Sequence, residues 1–358
     1  MLWITLSCAG PKANPRAVPI EVAAPPSVVK ANPRLPAWDS GAQGYGVRGP
    51  MPPLELAWEK ELTAQATGLV PWQGGVALSS AQVLISLSAQ GQPLWTELEG
   101  RSDLGLVDGA LIAISETELR RCGDPSCQTP EPTLLAAPLQ GPPVAVGTAE
   151  VMLTRAGTLP QWALDLGSPP AANLVTDGLQ IYIATEGGEL VAAGPPGELW
   201  RSNLGGPGQS RPLYFQERVY AASAPHSVAT GQLNCFDMEG ALIWRHELDF
   251  GPIGGLALWD QAVLVVDARG VVQAFDWDTG ALRWRTELSA GAVTDLSVAQ
   301  GRGYLGLSDG TLRVLDLDDG GEWGRFELGA PLALPPVVLE GLVVVALTDK
   351  RMVALRAK

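Results

Sequence analysis

Histidine is scarce in this sequence: there are two in 358 residues, His226 and His246. His226 is far in sequence from any second candidate ligand. His246 stands two residues after Trp244, in a slot that Lys60, Ser202 and Thr286 fill elsewhere, and reads as a surface-edge residue. A serine triad, a Cys–His pair and an imidazole zinc site therefore lack the parts they need. Cysteine is scarce too, at four, and no second Cys or His pair accompanies Cys122 and Cys127. No glycine-rich loop opens a helix, which leaves nucleotide phosphates without a cradle. Charged residues make up only 17%, and the 24 basic against 38 acidic give a net charge of −14. Nucleic acid is excluded as a partner, because phosphate binding needs clustered Lys and Arg. No long amphipathic helix pattern is present.

What the chain has instead is 42 glycines and 30 prolines punctuating short Val/Leu/Ile/Ala runs. That composition suits many short strands. Gly270–Leu288 shows the unit: a strand from Val271 to Phe275, turn chemistry at Asp278-Thr279-Gly280, and a returning strand through Leu282 and Trp284. The same phrase recurs over Gly231–Leu248 and Gly310–Leu328, and more loosely over Gly188–Leu204. Trp-x-x-(Glu/Asp/Asn)-Leu recurs at Trp58, Trp162, Trp200, Trp244 and Trp284, one residue short at Trp95 and one long at Trp323. The intervals between these seven tryptophans are 37, 67, 38, 44, 40 and 39 residues. Periods of this size with strand–turn chemistry mean a propeller or an array.

The chain divides into three parts. Residues 1–8 resemble a shortened lipoprotein signal, Thr5-Leu6-Ser7-Cys8, with Cys8 as the lipidation site. Thr5 departs from the usual branched apolar residue, and no basic residue precedes it; the alternative is a fortuitous match. Residues 9–53 are rich in Pro and Ala, repeat Lys-Ala-Asn-Pro-Arg, and read as an extended tether. Residues 54–358 carry the repeats and, with 19 basic against 36 acidic residues, a net charge of −17. Leu54–Leu62 is an outer-type strand with no partner before it, while the tail beyond Leu332 offers three strands and no fourth. Joining them closes a ring and hides two sheet edges. The expected fold is all-β, an eight-bladed propeller closed by its N-terminal strand, with seven blades if residues 96–162 form one swollen unit.

Ala274-Phe275-Asp276, Gly280 and Trp284, with their copies, resemble the quinoprotein-type (PQQ-like) repeat. The resemblance covers Leu54–Lys358. It implies a closing tryptophan that docks between neighbouring blades, which assigns that role to Trp58, Trp95, Trp162, Trp200, Trp244, Trp284 and Trp323. Two branches use such repeats: quinone-dependent dehydrogenases, and non-enzymatic lipid-anchored propellers of outer-membrane protein assembly. Dehydrogenases of this type carry two adjacent cysteines beside the cofactor, and no Cys-Cys dipeptide occurs here. The second branch is the expectation: a monomeric, cofactor-free, extracytoplasmic scaffold for envelope proteins, touching the membrane only through a lipid on Cys8. A quinone-dependent dehydrogenase and a polysaccharide- or cell-binding module are the alternatives.

Cys122 and Cys127 enclose four residues in a turn, which suits a small disulfide-closed hairpin or two unpaired thiols. The disulfide is expected, and with it an oxidising compartment. Cys235 occupies the slot of Ala274 and Val314 and reads as a small core residue. Asp165, Asp237, Asp276 and Asp316 recur with the repeat and read as turn-capping acceptors. What breaks the repeat is loop length, and function tends to sit on such departures. The insertion Ser223–Thr230, with Pro225 and His226 at its tip, is the candidate interface loop, beside the Cys122–Cys127 hairpin.

Overall fold

The computed structural model describes residues 47–81, 83–97, 103–107, 109–123, 132–224 and 230–358. Cys8, Cys127, Pro225 and His226 lie outside them, as does the tether before residue 47. The described residues form strands throughout, with one short 3-10 turn at Pro160–Trp162.

Seven sheets are four-stranded and antiparallel; six are built from four consecutive strands, and the seventh joins the first strand of the chain to the last three. The first strands of neighbouring sheets lie side by side and ring a central axis. Second strands such as Ala262–Val266 and Leu342–Ala346 are buried at every residue. A sheet packed on both faces has no polar side to offer, so these strands read as unbroken apolar runs. Fourth strands such as Leu282–Glu287 are mostly exposed and alternate, as an outer edge should. The core is therefore divided among the seams between sheets. One seam joins Leu264, Val266 and Ala274 to Val298, Leu305 and Leu315. Each such side chain contributes about 1.5–3 kcal/mol on full burial.

The ring closes as the orphan strand requires. Leu54–Glu61 pairs antiparallel with Arg351–Ala357, from Leu54 opposite Ala357 to Glu61 opposite Arg351, with an irregularity between Leu56 and Trp58. The Leu62 amide extends the ladder to the Lys350 carbonyl at 2.7 Å.

Seven is thus the number of complete blades, and the expectation of eight is not met. Residues 144–165 give two two-stranded ladders, Val144–Val146 with Ala149–Val151 and Thr158–Leu159 with Leu164–Asp165. This is the shortest unit, and Pro160 starts a 3-10 turn where an outer strand would run. Trp162 accordingly lies in that turn and not on a strand, half-buried against Leu159 and Leu166.

The second departure is at the start of the fold. Residues 47–53, read from composition as the end of the tether, are docked on the propeller, with Gly49 and Pro50 buried.

Candidate interaction faces

Strand order gives the propeller two unlike ends. One carries the turns between first and second and between third and fourth strands; it is called here the hairpin end. The other, the crossover end, carries the second-to-third turns and the links from sheet to sheet.

Tryptophans and turns meet at the hairpin end. Trp284 lies opposite Ala274 on its own sheet and reaches the third–fourth turn of the next. There its indole nitrogen donates to the Leu317 carbonyl at 3.0 Å. The ring occupies the space above Gly320, whose φ is +78° and where an added Cβ would fall 2.4 Å from the indole. Trp58 and Trp200 repeat the arrangement, donating to Ala89 and Met238 at 2.8 and 2.7 Å beside Gly91 and Gly240. The third–fourth turn is thus a socket. Its glycine both takes the left-handed backbone and leaves room for the neighbour's indole.

Trp244 sits over Gly280 in the same way, but its nitrogen has no partner among the described residues. The carbonyl it would use, on Trp277, already accepts the Tyr220 hydroxyl at 2.8 Å. Trp95 also lacks a partner for its nitrogen among the described residues. Trp323 does not dock. Gly324 takes the register position opposite Val314 that Trp284 holds opposite Ala274, and Trp323 turns outward, 41% exposed.

The slot two residues after Trp200, Trp244 and Trp284 also reaches the neighbouring socket. The Thr286 hydroxyl donates to the Gly320 carbonyl at 2.6 Å, and His246 stacks on Phe275 with ring centroids 5.0 Å apart. His246 is therefore part of a seam. Its sequence signal was the recurrence of hydroxyl residues at that slot.

The recurrent aspartates cap turns. Asp276 accepts from the Thr279 amide and hydroxyl, both at 2.9 Å, and from Arg283 at 2.8 Å. Burial would raise its carboxyl, but the bonds from Arg283 and Thr279 outweigh it and bring the pKa to about 2. Asp237, Asp165 and Asp316 make equivalent amide contacts. Among the described residues no group of three His, Cys, Asp or Glu side chains converges as a metal site would require. Cys235 is buried, and burial pushes its thiol up to about 12. Cys122 is buried at the end of Glu118–Cys122, on the hairpin end.

The crossover end holds the cavities. One of about 290 Å³ opens at the axis, lined by Asp103, Gln140, Asn173, Arg211 and Asp295 among others. Burial raises the Asp103 carboxyl and Arg155 opposes it. A second cavity, about 600 Å³, lies between Ser168–Gly187 and Pro207–Gln209. The base of the candidate loop stands beside it: Ser223 is buried, bridges Gly208, and the Ala224 amide donates to Pro207 at 3.0 Å. Thr230 marks the other, exposed base of the loop. The structure therefore brings Ser223 and the cavity together, and places Cys122 at the opposite end.

Residues 229–358 match the family described as outer membrane protein assembly factor BamB. A solved structure of BamB from Moraxella catarrhalis superposes with a TM-score of 0.65 at 20% identity, over 85% of this chain and 98% of that one. Residues 229–358 are thus similar to the BamB family, and the described residues as a whole have its propeller fold of PQQ-like repeats. The computationally designed protein Ika8 superposes with a TM-score of 0.66 at 16% identity, covering 83% of this chain and 98% of its own. BBS1N, solved in complex with ARL6DN, gives 0.55 at 12% identity, over 85% and 97%. At these identities the likenesses show the fold alone. No curated protein matches the chain.

Proposed function

We propose that this propeller is a non-enzymatic, extracytoplasmic scaffold that binds a protein of the cell envelope, in the manner of an outer-membrane assembly factor. The observation that carries this reading is where the recurrent polar residues go. The repeated aspartates hold turn amides and the repeated tryptophans fill seams, so the parts an active site would recruit are spent on architecture. The match of residues 229–358 to the BamB family supports the same class. The crossover end, with the axial cavity and the base of Ser223–Thr230, is the binding face. The net −17 of residues 54–358 steers the propeller toward a basic partner surface.

Three finer assignments belong to this reading. Cys8 carries the lipid, with residues 9–46 as tether. Cys122 pairs with Cys127, a short closure worth about 2–3 kcal/mol at most. Thiol titration of the mature protein is expected to find one thiol, Cys235, reacting only on denaturation; three fast thiols would contradict both assignments. The ladders of residues 144–165 together fill one further, reduced station of the ring, since Val144–Val146 lies beside Val175–Thr176 as first strands do elsewhere.

Capture tests the function. Immobilised protein should retain an envelope protein at low salt and release it as salt rises, while the purified protein shows no quinone absorption. Stoichiometric quinone would overturn the reading in favour of a dehydrogenase.

A further inference from the structure

The last seam lacks a part that every regular seam has. The seam between the sheets of residues 213–248 and 257–287 shows it: Trp244 covers Gly280 in the neighbour's third–fourth turn, and the second-strand Tyr220 donates to Trp277 of the same turn. The sheet of residues 297–327 faces the closing sheet. There the third strand, Arg351–Ala357, and the fourth, Leu54–Glu61, come from opposite ends of the chain and share no turn.

We propose that Arg48–Pro53 is a surrogate turn: the last seam is a binding site for an extended Gly-Pro peptide, and the chain supplies that peptide itself. Tyr304, which holds the register of Tyr220, donates its hydroxyl to the Pro50 carbonyl at 2.8 Å. Arg302 donates to the Gly49 carbonyl at 3.0 Å. The Gly341 amide donates to the Arg48 carbonyl at 2.6 Å, and the Lys358 amide to Pro53 at 2.9 Å. The Arg48 amide donates to Glu340 at 3.1 Å. Five bonds from three segments thus hold six residues that bring no regular strand of their own.

The pocket is cut to this ligand on both sides. A Cβ on Gly49 would fall 2.1 Å from the Tyr304 hydroxyl, so only glycine lets the peptide lie against the ring. A Cβ on Gly324 would fall 2.7 Å from Pro52. Gly324 stands where the other sheets place their docking tryptophan, and Pro52 takes the space an indole would fill. The displacement of Trp323 by one residue is therefore the complement of Pro52. One consequence is mechanical: tension on the first 46 residues is borne at the seam where the ring closes, ahead of the strand Leu54–Glu61. This inference is independent of the scaffold reading.

Limited trypsin digestion of the full chain tests it, because Arg34 precedes the docked segment and Arg48 lies within it. The expected product begins at Leu35, with the Arg48–Gly49 bond protected. Gly324→Val should crowd Pro52 and expose that bond, speeding its cleavage roughly tenfold while the propeller stays resistant. Tyr304→Phe, a milder change that keeps the ring, should speed it about fivefold, the worth of one hydrogen bond. It carries the test if Gly324→Val fails to fold. Cleavage after Arg48 as fast as after Arg34 in the unaltered chain would overturn the proposal. So would a folded variant whose Arg48–Gly49 bond stays as protected as before.

Discussion

Gly320→Ala should destabilise the protein by about 2–5 kcal/mol, against about 1–2 kcal/mol for the same change at Gly178. Both glycines have positive φ, +78° and +92°, so both variants strain the backbone. Only Gly320 faces a ring. Its added methyl would meet Trp284 at 2.4 Å, while nothing lies within 4 Å at Gly178. Trp284→Ala alone should cost about 2–4 kcal/mol, somewhat less than a fully buried aromatic because Trp284 is half-buried. In that background the further cost of Gly320→Ala should fall by the indole's share of the clash, leaving the backbone strain and the contact with the Thr286 hydroxyl, 2.6 Å from the added Cβ. Denaturant midpoints of the four proteins form a double-mutant cycle. Additive losses would show that indole and glycine do not share one socket.

Truncation should have a larger effect and a sharp threshold. A chain beginning at residue 47 keeps every described contact and is expected to melt as the full chain does. A chain beginning at residue 63 loses Leu54–Glu61 and leaves Arg351–Ala357 as an open, largely apolar edge. Such an edge templates pairing with another copy, and that chain should aggregate. A soluble, cooperatively melting 63–358 fragment would show the closure to be misassigned.

Much of this was legible in the sequence because repetition averages out local ambiguity. The unpaired Leu54–Leu62 and the three-strand tail named each other as partners, and the Asp-x-x-x-Gly turns announced their caps. Other features were hidden for physical reasons. Arg48-Gly49-Pro50-Met51-Pro52-Pro53 has tether composition, and what docks it is supplied from afar: its carbonyls accept from Arg302, Tyr304, Gly341 and Lys358 elsewhere in the chain. The slip at Trp323 was visible as one extra residue. Its meaning was not, because Gly324 and Pro52 are 272 positions apart in sequence. The blade count failed at residues 144–165, where Trp162 preserved the spacing of an outer strand after the strand itself had been replaced by a turn. The two candidate loops looked equivalent by length, yet strand order puts Cys122 and Ser223 at opposite ends of the propeller.

The most direct test of the scaffold reading exchanges Ser223–Thr230 for a turn as short as that between Val266 and Gly270, then measures capture of the envelope partner and melting temperature on the same preparation. The account predicts lost capture at a melting temperature lowered by no more than the loss of the buried Ser223 hydroxyl's bond to the Leu204 carbonyl accounts for, about 1 kcal/mol of stability. Unchanged capture would remove this face from the account, and with it the only loop assigned a partner.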